Sequence, residues 1–256
     1  MPATYDKFVP SHFPEFLARA NFHSSYIDLA ELRKFDDVAN RFQPSSQLSE
    51  KLNSQTLLNH CLRCYYFSIA ILDAGFPSNT PSVPQISREE LIKQLYLTCI
   101  LHDLGLSTHE DAASHPAHDM TFEFHGGLMV YEHLRAEYAP SLVLDDSQIA
   151  DITQSIMLHD VFFDAGMSSA TGMLMQLSAF FDMLGYGVYG TDSMECMLHR
   201  DTVRELEKAF PRGDMVEGST YAAQEMMRVK PNCHLTRAPT FAARLIKGVH
   251  CLADSH

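Results

Sequence analysis

His102 and Asp103 close an apolar run, Leu95-Tyr96-Leu97-Thr98-Cys99-Ile100-Leu101, and are followed by Leu104-Gly105. Two strong metal ligands therefore sit where a buried helix should end. A buried carboxylate is costly unless it is paired, hydrogen-bonded or bound to a cation. The apolar striping of the chain places further residues of the same types on inward helix faces, namely His60, His125, His159 and Asp182. A lone histidine on an apolar face is usually a satisfied core residue. Five successive helices each turning His or Asp inward point instead to a metal centre, because binding a first-row metal neutralises the whole set together.

These residues need helices to hold them, and the periodicity supplies the helices. A pattern from about residue 49 to 74 sets His60, Cys64, Phe67 and Ile71 on one face, with Gly75 as the stop. Residues 77–85, dense in Pro, Ser and Asn, form a loop. Ser87-Arg88-Glu89-Glu90 matches a capping box and starts the helix that ends at His102. Residues 107–120 have no periodicity and hold His109, His115 and His118, a loop placed where a lid could lie. Residues 121–137 are helical again. Gly126-Gly127 there costs about 1 kcal/mol per glycine relative to alanine, which suggests close approach by another backbone or a bound group. Asp145 or Asp146 caps the helix bearing Ile149, Ile152, Ile156 and His159, and residues 171–184 bring Met175, Ser178, Ala179 and Asp182 together. Further helices are expected near 194–209, 217–228 and 239–251. No segment alternates with period two and no repeat is present, so the fold class is all-α with one core.

The order His, His-Asp, Asp resembles the HD-domain metal-dependent hydrolases. The matching pieces are Asn59-His60-Cys61-Leu62-Arg63, Leu101-His102-Asp103-Leu104-Gly105 and Gln176-Leu177-Ser178-Ala179-Phe180-Phe181-Asp182. The resemblance implies the helical HD fold over residues 47–256, with a C-terminal helical extension. It implies a first metal site of His60, His102, Asp103 and Asp182, and it does not extend to the N-terminal arm at 1–46, which is read from its irregular, aromatic-rich sequence alone. A narrower resemblance rests on Phe122-Glu123-Phe124-His125-Gly126-Gly127, Ile156-Met157-Leu158-His159-Asp160-Val161, Ala209-Phe210-Pro211-Arg212 and Lys230-Pro231-Asn232-Cys233-His234-Leu235-Thr236. In that order they look like the fungal cyanamide hydratases, with coverage from about residue 50 to 236.

That family adds water to cyanamide, giving urea, at a zinc site. A metal that acidifies bound water supplies hydroxide near neutral pH for attack on the nitrile carbon. Asp103 then belongs to the reacting centre, and His159 with Asp160 beside it is the candidate proton donor to the developing nitrogen anion. The family can carry a tyrosine where this chain has His125. In binuclear HD proteins a histidine stands there, with another matching His159, so a second metal bridged by Asp103 stays open. Zinc is the expected metal and iron the alternative. Two rival chemistries follow from the same superfamily. One is phosphohydrolysis of a nucleotide or small phosphate ester, against which Leu106 replaces the lysine common after the motif glycine. The other is a di-iron oxygenase using His125 and His159.

Composition narrows the partners to a small molecule. A formal charge of −13 with only 19 Lys plus Arg argues against nucleic acid, anionic membranes and a polyphosphate cradle. No apolar run approaches the roughly 20 residues of a membrane span. Residues 1–16 carry charges and three prolines and lack the apolar stretch of a signal peptide. Cys61 and Cys64 lie within a helix and have no second pair at zinc-ribbon spacing, so they read as packed, reduced thiols in a cytoplasmic or nuclear protein. Arg63, one turn after His60, is placed to pair with a carboxylate. Met173, Met175, Met183, Phe180 and Phe181 read as core and pocket lining, and Glu205 and Glu207 as a solvated face. A homo-oligomer stays open, with Phe210-Pro211-Arg212 and Lys230-Pro231 placed either to close the domain or to build a subunit contact.

Overall fold

The computed structural model describes residues 3–255. It begins with two three-residue strands, β1 (Thr4–Asp6) and β2 (Phe8–Pro10). β1 pairs antiparallel with β3 (Gln85–Ser87), and β2 with β4 (Met167–Ser169), so that Tyr5 lies opposite Ile86 and Val9 opposite Ser168. Tyr5 and Val9 are fully buried, so these ribbons strap the chain start onto the core. Three residues are too few to display an alternating pattern, which is why period-two reading finds none.

Short helices follow: α1 (Phe13–Arg19), α2 (Leu29–Leu32) and α3 (Asp37–Arg41). The single helix expected over 49–74 is two, α4 (Gln43–Leu52) and α5 (Gln55–Asp73). Asn53 and Ser54 are extended between them, and the Ser54 hydroxyl accepts from the Leu57 amide to cap α5. The Leu52 carbonyl left over at the break accepts from the Ser107 hydroxyl at 2.5 Å. Gly75 ends this helix pair with φ 127°, and a side chain there would meet the Asn21 carbonyl oxygen at 2.1 Å. Only glycine fits both demands.

α6 (Arg88–Leu101) starts on Ser87, whose hydroxyl accepts from the Glu90 amide. It ends on His102, and a tight 3-10 turn (Leu104–Leu106) carries the chain away. The expected loop at 107–120 contains one turn of helix, α7 (Glu110–Ala113), capped by the His109 ring. Next come α8 (Phe122–Glu137), α9 (Asp146–Leu158) and α10 (Ala170–Leu184). Asp145 caps α9 in a reciprocal capping box with Gln148.

α5 packs between α6 and α10, and α9 covers α10 while meeting α8. Side chains from β1 to the C-terminal residues join one hydrophobic cluster among the described residues. Each fully buried Leu, Ile or Phe in it contributes about 1.5–3 kcal/mol by leaving water. Gly126 explains how α8 reaches the His102 turn: a side chain on Gly105 would fall 1.9 Å from the Phe122 carbonyl oxygen, and one on Gly126 would fall 2.8 Å from the Gly105 nitrogen. The two glycines let the two backbones touch.

The remaining helices are α11 (Arg200–Ala209), α12 (Met215–Val229), α13 (His234–Arg237) and α14 (Pro239–Lys247). α11 begins later than the sequence suggests, because the His199 ring caps it by accepting from the Asp201 amide. Glu205 and Glu207 do not form a solvated face. Glu205 accepts from Tyr26 and from the Leu29 amide, while Glu207 accepts from the Leu252 amide, so both bind loop segments to α11. Among the described residues no helix is long and apolar enough to cross a membrane.

Candidate metal centre and cavity

α5 presents His60 to the C-terminal end of α6, where His102 and Asp103 leave the helix. All three are buried. His60 Nε2 lies 3.1 Å from His102 Nε2 and 3.4 Å from Asp103 Oδ2, and His102 Nε2 lies 3.3 Å from the same oxygen. Ligands held 2.0–2.1 Å from a tetrahedral metal are about 3.3 Å apart, so the three atoms have the spacing of one face of such a site. The outer nitrogens fix the tautomers. His102 Nδ1 is 2.8 Å from the Cys99 carbonyl oxygen, which can only accept. His60 Nδ1 is 2.6 Å from Asp182 Oδ2. With both Nδ1 atoms donating, both Nε2 atoms face each other as lone pairs. Burial presses the His102 pKa down to about 3, so a proton does not settle this contact. A cation would.

Cys61 and Cys64 pack against these rings, with sulfur 3.8 Å from His102 Nδ1 and 3.7 Å from His60 Nδ1. The buried groups His60-Cys64-His102 and Cys61-His102-Asp103 are each compact enough to hold a metal. Burial raises both thiol pKa values far above the usual range, which keeps them protonated and makes imidazole and carboxylate the better donors.

Asp182, on α10, sits behind His60. Its oxygens accept from Arg63 Nε at 2.7 Å, Arg63 Nη2 at 2.8 Å and Arg212 Nη1 at 3.3 Å. Burial opposes its charge, but the two guanidinium groups outweigh it and hold the carboxyl well below the usual carboxylate range. Arg63 also donates to the Phe210 carbonyl at 2.8 Å, so the Phe210-Pro211-Arg212 segment closes over this pair within the chain. The sequence pairs Arg63 with some carboxylate; the structure shows which one.

His159 ends α9 with Nδ1 2.7 Å from the Ile156 carbonyl, and its ring meets His102 edge-on at 5.1 Å between centroids. Beside it, Asp160 Oδ1 lies 3.4 Å from His234 Nδ1. Glu123, fully buried on α8, completes a three-residue cluster with Asp160 and His234. Burial first, then the neighbouring Asp160, raises the Glu123 pKa to about 10. Burial works against Asp160 too, but hydrogen bonds from His234 and Glu123 prevail and keep it below the usual range. The proton of this pair therefore resides on Glu123. Sequence reasoning gave Glu123 and His234 no catalytic role, although both stand in the quoted segments. The available signal was a carboxylate set between Phe122 and Phe124 in the first turn of α8.

His125 goes elsewhere. Its ring neighbours are His115 and His118, at 5.5 and 5.3 Å between centroids, and neither ring nitrogen has a hydrogen-bond partner. Burial, then the charge of Lys230, holds its pKa down at about 4. Lys230 itself donates to the carbonyls of His118 and Met120, pinning the His-rich loop to the end of α12.

A cavity of about 350 Å³ opens over His60, Asp103, His159 and Asp160. Phe180 and Met183 form part of its core side and α12 and α14 its roof, while His125 does not line it. Met173, Met175 and Phe181 are buried in the core beneath.

The fold and site define a mostly helical protein of the all-α class with buried His, Cys and Asp clusters that could bind a metal beside a cavity. No family model matches the chain. It is similar to two curated proteins of Saccharomyces cerevisiae, cyanamide hydratase DDI2 and cyanamide hydratase DDI3. To each it is 29% identical over 157 residues, 61% of this chain. The match spans 59% of the length of each relative.

Proposed function

We propose that the protein is a metal-dependent hydratase of small nitrile-like molecules that converts cyanamide to urea. The observation that carries this reading is the triangle of His60 Nε2, His102 Nε2 and Asp103 Oδ2, with lone pairs converging at 3.1–3.4 Å and with His60 and Asp103 lining the cavity. The similarity to two proteins named cyanamide hydratase supports the choice of substrate. His60, His102 and Asp103 would hold the metal, zinc by preference, with Asp182 as the fourth residue of the set through its hold on His60. When bound, the metal supplies the Lewis acidity that makes hydroxide available near neutral pH.

The chain's own groups do the rest. His159, with Nδ1 committed to the Ile156 carbonyl, keeps Nε2 as the atom that takes a proton from water and returns it to the nitrile nitrogen. Asp160, ionised because Glu123 carries the shared proton, accepts from the amino N–H of cyanamide and sets its direction. Apolar side chains of α12 and α14, Met215, Ala223, Met226 and Phe241, limit the water around the bound substrate. A His159→Gln protein that kept both its metal and full turnover would remove His159 from this scheme.

A phosphate ester would find no counter-charge beyond the metal, since no described residue lining the cavity is Lys or Arg. A two-metal oxygenase would require His125 beside His159 at a second metal bridged by Asp103, whereas the ring neighbours of His125 are His115 and His118. Six free cysteines agree with a reducing compartment, cytoplasmic or nuclear. The test is elemental analysis of purified protein together with urea release from cyanamide. Metal bound near one equivalent with urea formed is the expected result; metal-loaded protein that forms no urea refutes it.

A further inference from the structure

Cyanamide has three heavy atoms, and at roughly 30 Å³ for each water-sized atom it would fill about a quarter of the cavity. The cavity holds about 350 Å³. His60, Asp103, His159 and Asp160 stand together at the triangle's end, while of the other polar lining residues Thr56 is bound to Asp214, Ser107 to the Leu52 carbonyl and Ser219 to the Val216 carbonyl. Away from that end the walls are Phe180 and Met183 of α10, Met215, Ala223 and Met226 of α12, and Phe241 of α14. Phe241 packs on Phe180 at 5.2 Å between centroids, so the far end is an aromatic and thioether wall. Water there would find few partners, and displacing poorly held water with an apolar group is favourable. A hydratase built only for a three-atom polar substrate has no use for such a chamber.

We propose that the cavity selects monosubstituted cyanamides, R–NH–C≡N, in which R is an unbranched apolar group of about four to six carbons lying between α10, α12 and α14. This inference rests on the hydratase reading above. Asp160 supplies the reason for a cyanamide rather than a simple nitrile, because a carboxylate at the polar end calls for an N–H donor beside the C≡N group. The reaction remains a hydration. The water oxygen bonds to the nitrile carbon, both water hydrogens finish on the terminal nitrogen, the triple bond becomes a single C–N bond with C=O formed, and nothing leaves. The product is R–NH–CO–NH₂.

Metal-loaded full-length protein is assayed with cyanamide, N-methyl-, N-butyl- and N-hexylcyanamide, with products followed by mass spectrometry. Each added methylene is expected to raise kcat/KM by up to about fourfold, the transfer gain of one buried CH₂, so that N-butylcyanamide exceeds cyanamide by tenfold or more. N-butylurea is expected to raise Tm at concentrations where urea does not. Ala223→Phe, which fills the chamber, should lower the butyl-to-cyanamide ratio of kcat/KM at least tenfold. Should that variant not fold, Met226→Ala enlarges the chamber and should move the preference toward hexyl. Hydration of cyanamide with kcat/KM falling at every added carbon overturns this inference and leaves the hydratase reading intact. No hydration of cyanamide or of any derivative overturns the hydratase reading, and this inference with it.

Discussion

At Asp182 one carboxylate is balanced against two guanidinium groups, and the balance decides whether His60 stays in place. Arg63 supplies two of the short contacts and Arg212 a longer one at 3.3 Å. Arg63→Met should therefore leave a buried charge poorly compensated and cost about 3–5 kcal/mol in urea unfolding. It should also weaken metal binding about 10- to 100-fold by titration, because His60 loses its orienting partner's position. Glu123 makes a second prediction through its proton. Its folded pKa, about 10, lies above the unfolded value, so its contribution to stability is complete below that unfolded value and is lost as pH rises toward 10. Glu123→Gln has no proton to lose and still fits. Its stability relative to wild type should grow between about pH 6 and 9, with a slope of at most about 1.4 kcal/mol per unit. Equal urea midpoint shifts at both ends would contradict the assignment. His60, His102, Asp103 and Asp182 were legible as a group because each interrupts an apolar helix face. Arg212, Glu123 and His234 were not, because their meaning lies in partners 30 to 113 residues away in the chain, as in Arg212–Asp182 and His234–Thr121.

Among the elements, caps were readable and breaks were not. Ser87 and Asp145 announce their helices locally, through hydroxyl or carboxylate oxygens three residues ahead of a free amide. The break after Leu52 depends on Ser107, which no local pattern connects to it. The same limit hid the ribbons. The contact of Gly105 with α8 gives a test at this scale. Gly105→Ala would push a methyl group into the Phe122 carbonyl and part α8 from the His102 turn. A loss of about 3 kcal/mol or more is expected, since backbone on both sides leaves nothing to yield. Gly218→Ala, on α12 with nothing within 4 Å of the added carbon, serves as the control. It should stabilise the helix by up to about 1 kcal/mol. Equal Tm changes for the two proteins would rule out the close-approach account.

For the molecule as a whole, the buried lone pairs of the triangle make metal a folding ligand as well as a catalytic one. Metal at about 100 times its Kd should add about 2.7 kcal/mol to stability, roughly 5–10 °C in Tm for a chain of this size. Calorimetry with chelator and with zinc restored would check this, and an unchanged Tm would contradict the metal reading. The fold class was legible from helical periodicity throughout. The route by which the N-terminal segment enters the core was not, because strands of three residues leave no periodic trace.

Those strands impose an order on synthesis. Tyr5 leaves the ribosome long before its partner Ile86, and Val9 must wait for Ser168, which precedes α10. Until then two side chains destined for full burial stay in water on an unpaired backbone. β1 can close only once β3 at 85–87 has been made, and β2 only once β4 at 167–169 has been made. A nascent chain halted before residue 167 would carry an exposed sticky edge. Residues 8–10 complete their pairing only when the chain has reached residues 167–169.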